Sequence, residues 1–299
     1  MKSLIRFAVV ALSLVVALPG GLRAETYEVD RDFSPALPEG LKFGSVSGVA
    51  VDGNGYLIVA HRGERPILVY DPSGKLVQMF GDGELKMVHG LRIDSDNNIW
   101  VTDIEHHVAI KYSPSGKVLL TLGKRGVAGD DEATFNRPTD VAIAPGGEIF
   151  VSDGYGNNRI VKFTKDGKFV KAWGTRGKED GQLNLPHCAQ FDSKGLLHVA
   201  DRENDRVQVF DQEGQLVRKY DGFAPFGLLI APDQTVYVAD GRAHECVHLA
   251  ADGKVLAKWG SKGEEPGQLG LPHCLALDRS GNVYVGEIEG KRLQRFVRK

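Results

Sequence analysis

The chain has 299 residues, with 37 Lys and Arg against 39 Asp and Glu, a formal net charge of −2. Without a basic excess to neutralise phosphates, nucleic acid is set aside as a partner. Three cysteines, Cys188, Cys246 and Cys274, cannot all pair within one chain, so the fold does not rest on a disulfide framework.

In chain order, the first segment reads as a secretory leader: Lys2 and Arg6, an apolar run from Phe7 to Leu18, then small residues to Ala24. The run is too short for a membrane anchor, which takes about 20 apolar residues, and no later stretch approaches that length. The expectation is an exported protein, periplasmic or secreted, monomeric and free of the membrane. Its mature part, residues 25–299, forms one domain.

Self-similarity organises that mature part. Aligning on a small or polar residue followed by a short apolar stretch gives repeat starts at Gly48, Gly90, Asp140, Cys188, Gly227 and Cys274, spaced 42, 50, 48, 39 and 47 residues apart. Each repeat shows an apolar strand, a turn such as Asp52 to Gly55 or Asp192 to Gly195, and a second strand ending near Val59, Val101, Val151, Val199, Val238 or Val285. A third strand follows, such as Val207 to Phe210 or Leu293 to Phe296, then a fourth such as Phe169 to Trp173. Four short strands per unit of this length predict an all-β, six-bladed β-propeller of NHL repeats. The sixth repeat ends after three strands. A spare strand, Tyr27 to Asp30, is expected to complete that blade and close the ring, leaving no exposed sheet edge.

The residue before each repeat start reads Ser47, His89, Thr139, His187, Phe226 and His273. Histidine falls in blades 2, 4 and 6 only, positions about 120° apart in a closed ring of six blades. Three imidazoles converging on the channel mouth match a three-histidine site of the kind catalytic zinc uses. Ordinary polar residues at strand entries are the plainer alternative. The alternation of His244, Cys246 and His248 also has metal-ligand chemistry, set against a surface or packing role.

Second strands end on His61, Asp103, Asp153, Asp201, Asp240 and Glu287, where the acids are expected to satisfy backbone donors of the following loop. Arg62, Arg202 and Tyr155, just beyond this phase, are less easily explained by the repeat. Two guanidinium groups from opposite blades can grip a carboxylate, and cations beside a tyrosine favour its phenolate. The alternative is a pair of surface arginines tied to acids such as Asp201 and Glu203.

At these residues the sequence resembles the peptidyl-α-hydroxyglycine α-amidating lyases. The matching segments are VSGVAVD at 46–52, HRG at 61–63, HGL at 89–91, RPTDVAI at 137–143, SDGYGNNRIVKF at 152–163, LPH at 185–187, ADREN at 200–204 and LPH at 271–273. The resemblance implies that His89, His187 and His273 hold a catalytic zinc and that Tyr155, Arg62 and Arg202 surround the substrate. It implies cleavage of a carbinolamide to an amide and glyoxylate. Zinc would acidify the hydroxyl, Tyr155 would remove its proton, and arginine would hold the carboxylate of a peptide or small-molecule substrate. It also implies a structural calcium in the channel, bound by the carbonyls of Val49 and Leu91 and by a carboxylate at the position of Cys274. Calcium takes hard oxygen ligands, and a thiol is not one. Two other functions stand beside the lyase: a non-catalytic NHL propeller binding a protein or glycan, and a metal-dependent propeller hydrolase of esters or lactones.

Overall fold

The computed structural model describes residues 25–299, so the expected leader lies outside the described residues. Six four-stranded antiparallel sheets follow one another along the chain. The inner strands are Ser45–Val51, Val88–Ile93, Asp140–Ile143, Pro186–Phe191, Pro225–Ile230 and Pro272–Leu277, for blades 1 to 6. Each pairs with a second strand ending on the predicted acid or, in blade 1, one residue past His61.

In four of the six turns between first and second strands, an aspartate side chain accepts the backbone donors that the turn leaves unpaired. Asp52 Oδ1 accepts the N–H groups of Asn54 and Tyr56 at 2.8 Å each, and Gly55 takes the left-handed conformation at φ +87°. Asp192 repeats the device with Lys194 and Leu196 at 2.9 Å.

Second strands are buried on both faces between neighbouring blades, which is why Ile149–Asp153 and Leu197–Asp201 have no exposed residue. Full burial of each Val, Leu, Ile or Phe in these strands contributes about 1.5–3 kcal/mol. Outer strands alternate with solvent, as in Phe169–Trp173.

Tyr27–Val29 pairs with Leu293–Arg298 in the register Tyr27 to Arg298 and Val29 to Phe296, completing blade 6. It is one residue shorter than expected, because Asp30 turns away and accepts from Arg295 Nε at 2.8 Å. The closing strand is locked by aromatic packing. Tyr27 stacks on Trp259 with ring centroids 4.0 Å apart, and its hydroxyl lies 2.9 Å from that of Tyr237.

The acids at the second-strand ends satisfy the preceding loop as well as the following one. Asp153 accepts from Asn136 N, Asp201 from Asn184 N and Glu287 from Gly270 N, in each case the loop that enters the same blade. In blade 1, His61 Nδ1 does this for Gly44 N at 3.0 Å. Asp103 and Asp240 also take donors from the loop after them, as the sequence suggested.

Candidate metal centre

A β-bulge puts the histidine phase on the axis. In blades 1, 2, 4, 5 and 6 the pairing of first and second strands skips at this phase, passing over Ser47, His89, His187, Phe226 and His273. A residue on a bulge leaves the sheet plane, so its side chain is turned toward the channel.

His89, His187 and His273 are 1%, 1% and 5% exposed, and they form a nearly equilateral triangle with ring centroids 4.7, 4.8 and 4.9 Å apart. One ligand atom from each lies within 4.8 Å of the others. Each Nδ1 is bound to a backbone carbonyl of the next blade: His89 to Thr139 O at 2.7 Å, His187 to Phe226 O at 2.7 Å and His273 to Ser47 O at 2.9 Å. A carbonyl only accepts, so each Nδ1 carries the proton and each Nε2 presents its lone pair to the centre. That is the tautomer and second-shell arrangement of metal-bound imidazole. The three phase residues without imidazole thus supply the carbonyls that orient the three that have it.

Burial holds all three rings in the neutral form. His89 and His187 are shifted well below the usual imidazole range by desolvation, then by the neighbouring histidines, and His273 is pushed down to about 3 by desolvation and the Arg62 guanidinium. The three residues therefore fit a borderline cation such as zinc on donor type, tautomer and spacing.

Tyr155 lies against this centre, its hydroxyl 3.1 Å from His89 Nε2 and 3.3 Å from His187 Nε2. Gly154 makes the approach feasible, since a Cβ there would sit 2.1 Å from the carbonyl oxygen of Pro186. The backbone N–H of Tyr155 donates to Arg137 O at 3.4 Å, and that of Arg202 to Leu185 O at 3.3 Å. Arg137 and Leu185 both have φ +62°, and Leu271, at the same place before His273, has φ +58°. Three non-glycine residues in the left-handed region, each before a proline, mark strain gathered around the centre.

The two predicted arginines are placed differently. Arg62 Nε reaches Val88 O at 3.4 Å, while its Nη2 is buried without a hydrogen-bond partner. Burial lowers its affinity for the proton, and the neighbouring Tyr155 oxygen opposes that shift. Arg202 is 13% exposed and binds Glu203 Oε1 through Nε and Nη2, each at 2.8 Å, while its guanidinium covers Phe226 at 4.6 Å and Tyr155 at 5.6 Å. The acidic tie expected of a surface arginine is thus present at Arg202, but on a side chain that faces the site.

Arg137 was not singled out by the repeat pattern, yet its guanidinium lies 5.4 Å from the Tyr155 ring. Its signal in the sequence is its position two residues before Thr139, in the loop that feeds the channel mouth. The His244, Cys246, His248 series does not form a cluster. His244 receives Leu271 N, Cys246 is fully buried in an apolar core, and His248 stacks on Tyr237 at 4.0 Å.

The three histidines border a small channel cavity of about 20 Å³, whose other walls include Val49, Leu91, Arg92, Asp140, Cys188 and Cys274. Among the described residues all three cysteines are free.

A six-bladed propeller with a three-histidine centre at its axis is the class these features define. Residues 135–163 match the NHL repeat family. The chain is 33% identical to peptidyl-glycine alpha-amidating monooxygenase A of Xenopus laevis over 86% of its length, but spans only 32% of that protein. It is 29% identical to a probable peptidyl-alpha-hydroxyglycine alpha-amidating lyase of Caenorhabditis elegans, over 92% of this chain and 88% of that one. A solved streptogramin B lyase superposes with TM-score 0.65 over 92% of this chain and 97% of that one; at 15% identity it shows the fold alone. The chain belongs to the NHL-repeat family of the peptidyl-α-hydroxyglycine α-amidating lyases.

Proposed function

We propose that this chain is a zinc-dependent carbon–nitrogen lyase acting on N-acyl-α-hydroxyglycines or similar α-hydroxy amides that carry a carboxylate, releasing an amide and glyoxylate. The observation that carries the reading is the convergence of three Nε2 lone pairs, each fixed by an Nδ1–carbonyl bond, with the Tyr155 hydroxyl against two of them. His89, His187 and His273 would hold the zinc, whose chemistry there is Lewis-acid polarisation of the substrate hydroxyl.

The chain's own groups do the remainder. Arg62, with its unpaired Nη2, binds the carboxylate and fixes the reacting carbon over the histidines. Tyr155, faced by Arg137 and Arg202 and with Arg62 beside its oxygen, is the general base that takes the hydroxyl proton. The C–O bond becomes a carbonyl as the C–N bond breaks, and the proton passes from Tyr155 to the departing amide nitrogen. No water is consumed, so the reaction is an elimination.

In this reading the chain is exported, its leader removed, and acts as a monomer in the periplasm or medium. The test is glyoxylate release from N-acyl-α-hydroxyglycine by zinc-loaded protein, with His187→Ala inactive. Ester or lactone hydrolysis without glyoxylate release would favour the hydrolase instead. Folded wild-type protein that takes up no metal and releases no product would favour the non-catalytic propeller.

A further inference from the structure

Beneath the histidines, Arg92 reaches from the inner strand of blade 2 across the channel. Its Nη2 donates to Asp140 Oδ2 of blade 3 at 2.6 Å, to Cys188 Sγ of blade 4 at 2.7 Å and to Ala189 O at 3.4 Å. Asp140 Oδ2 also accepts from Ala189 N at 2.9 Å. The pair is largely out of solvent, Arg92 at 17% and Asp140 at 3% exposure, with Arg92 Nε and Asp140 Oδ1 unpartnered and buried. The strand of blade 2 leaves room for it by having glycine at position 90, where a Cβ would meet Asp140 Oδ1 at 2.6 Å.

This arrangement does not fit the calcium that the family resemblance implies. The carbonyl residues Val49 and Leu91 border the cavity, but the position of the carboxylate ligand is Cys274, and a thiol is not the hard oxygen donor that calcium takes. Cys188 likewise offers sulfur rather than oxygen, and its Sγ already faces Arg92 Nη2. The carboxylate at this level, Asp140, already has a cation, and a divalent ion beside it would meet the Arg92 guanidinium at close range.

We propose that the Arg92 guanidinium is the resident cation of the channel, replacing a second metal and holding blades 2, 3 and 4 in the register that the histidine centre needs. Its partners adjoin that centre. Arg92 lies three residues past His89 on one strand, Asp140 follows Thr139, whose carbonyl receives His89 Nδ1, and Cys188 follows His187. Arg92 is therefore a positioning residue for metal binding, a role that rests on the zinc reading; the exclusion of calcium does not.

The experiment compares wild type, Arg92→Lys and Arg92→Met by zinc affinity in chelator competition and by melting temperature with and without millimolar calcium. Calcium should leave the wild-type melting temperature unchanged. Arg92→Met should bind zinc about 10- to 100-fold more weakly, the usual effect of losing an outer-shell partner. Calcium should raise its melting temperature, because Asp140 then lacks a counter-ion. Arg92→Lys should recover most of both properties. If Arg92→Met does not fold, Arg92→Met with Asp140→Asn removes both charges, and this variant should bind zinc weakly and ignore calcium. Stabilisation of the wild type by calcium, or unchanged zinc affinity in the folded variant lacking Arg92, overturns the proposal. Should wild type take up no zinc at all, the zinc reading falls while the calcium response still decides what Arg92 does.

Discussion

The unpaired Nη2 of Arg62 sets a sharp expectation for substrate binding. Arg202 already has a carboxylate partner in Glu203, whereas Arg62 has no acid beside it: its Nε reaches a carbonyl at 3.4 Å, its guanidinium adjoins the Tyr155 oxygen and its Nη2 is unpaired. In the reading proposed here a substrate carboxylate completes Arg62. Removing one partner of such a buried charge pair costs about 2–5 kcal/mol, so Arg62→Gln should lower kcat/KM by roughly 30-fold to several thousand-fold. Loss of Arg202, whose charge is already compensated at a partly exposed site, should cost about 1 kcal/mol or less in binding, a factor of roughly five. The assay is glyoxylate or glyoxylamide release from N-acyl-α-hydroxyglycine and from its carboxamide analogue. Arg62→Gln should affect the acid strongly and the carboxamide little. An equal loss on both substrates, or a larger loss for Arg202→Gln than for Arg62→Gln on the acid, would refute the assignment.

Tyr155→Phe removes the proton acceptor and keeps the ring packing, so kcat should fall by about 10²–10⁴ while zinc content stays at the wild-type level; unchanged turnover would remove Tyr155 from the mechanism. Stripping zinc should leave the propeller folded, since the apolar cores lie between blades. If free zinc had stood at about 1,000 times its dissociation constant, chelation removes about 4 kcal/mol, a melting-temperature drop of roughly 8 °C by calorimetry. Away from the site, His198 is 1% exposed and desolvation lowers it to about 4. The unfolded imidazole takes up its proton near pH 6.5 and the folded one only near 4, so stability should fall as pH drops through that window. The loss is about 3 kcal/mol in all, read as a pH slope in urea melts that flattens in His198→Gln.

Much of this was legible in the sequence because a propeller repeats one local rule. The apolar second strands and the phase carrying His89, His187 and His273 recur at fixed places in each unit, and the turn aspartate in four of the six (Asp52, Asp94, Asp192 and Asp278), so a residue departing from the repeat stands out. The closing strand could be inferred from a blade left one strand short. What the pattern did not carry was contact between blades at different phases. Arg92 follows Leu91 on the strand that also carries His89, and only the ring geometry brings it to Asp140 and Cys188. Arg137 lies in an entry loop whose left-handed backbone has no glycine to announce it. The opposite environments of Arg62 and Arg202 depend on Glu203 lying within reach of one and no acid within reach of the other, a matter of side-chain placement that spacing does not encode.

The central claim, a metal held by three alternating histidines, is tested most directly by elemental analysis of wild type and His187→Ala after identical purification in the presence of zinc. Wild type should carry one zinc per chain, and the variant should be folded and essentially zinc-free. Full zinc content in folded His187→Ala would contradict the claim.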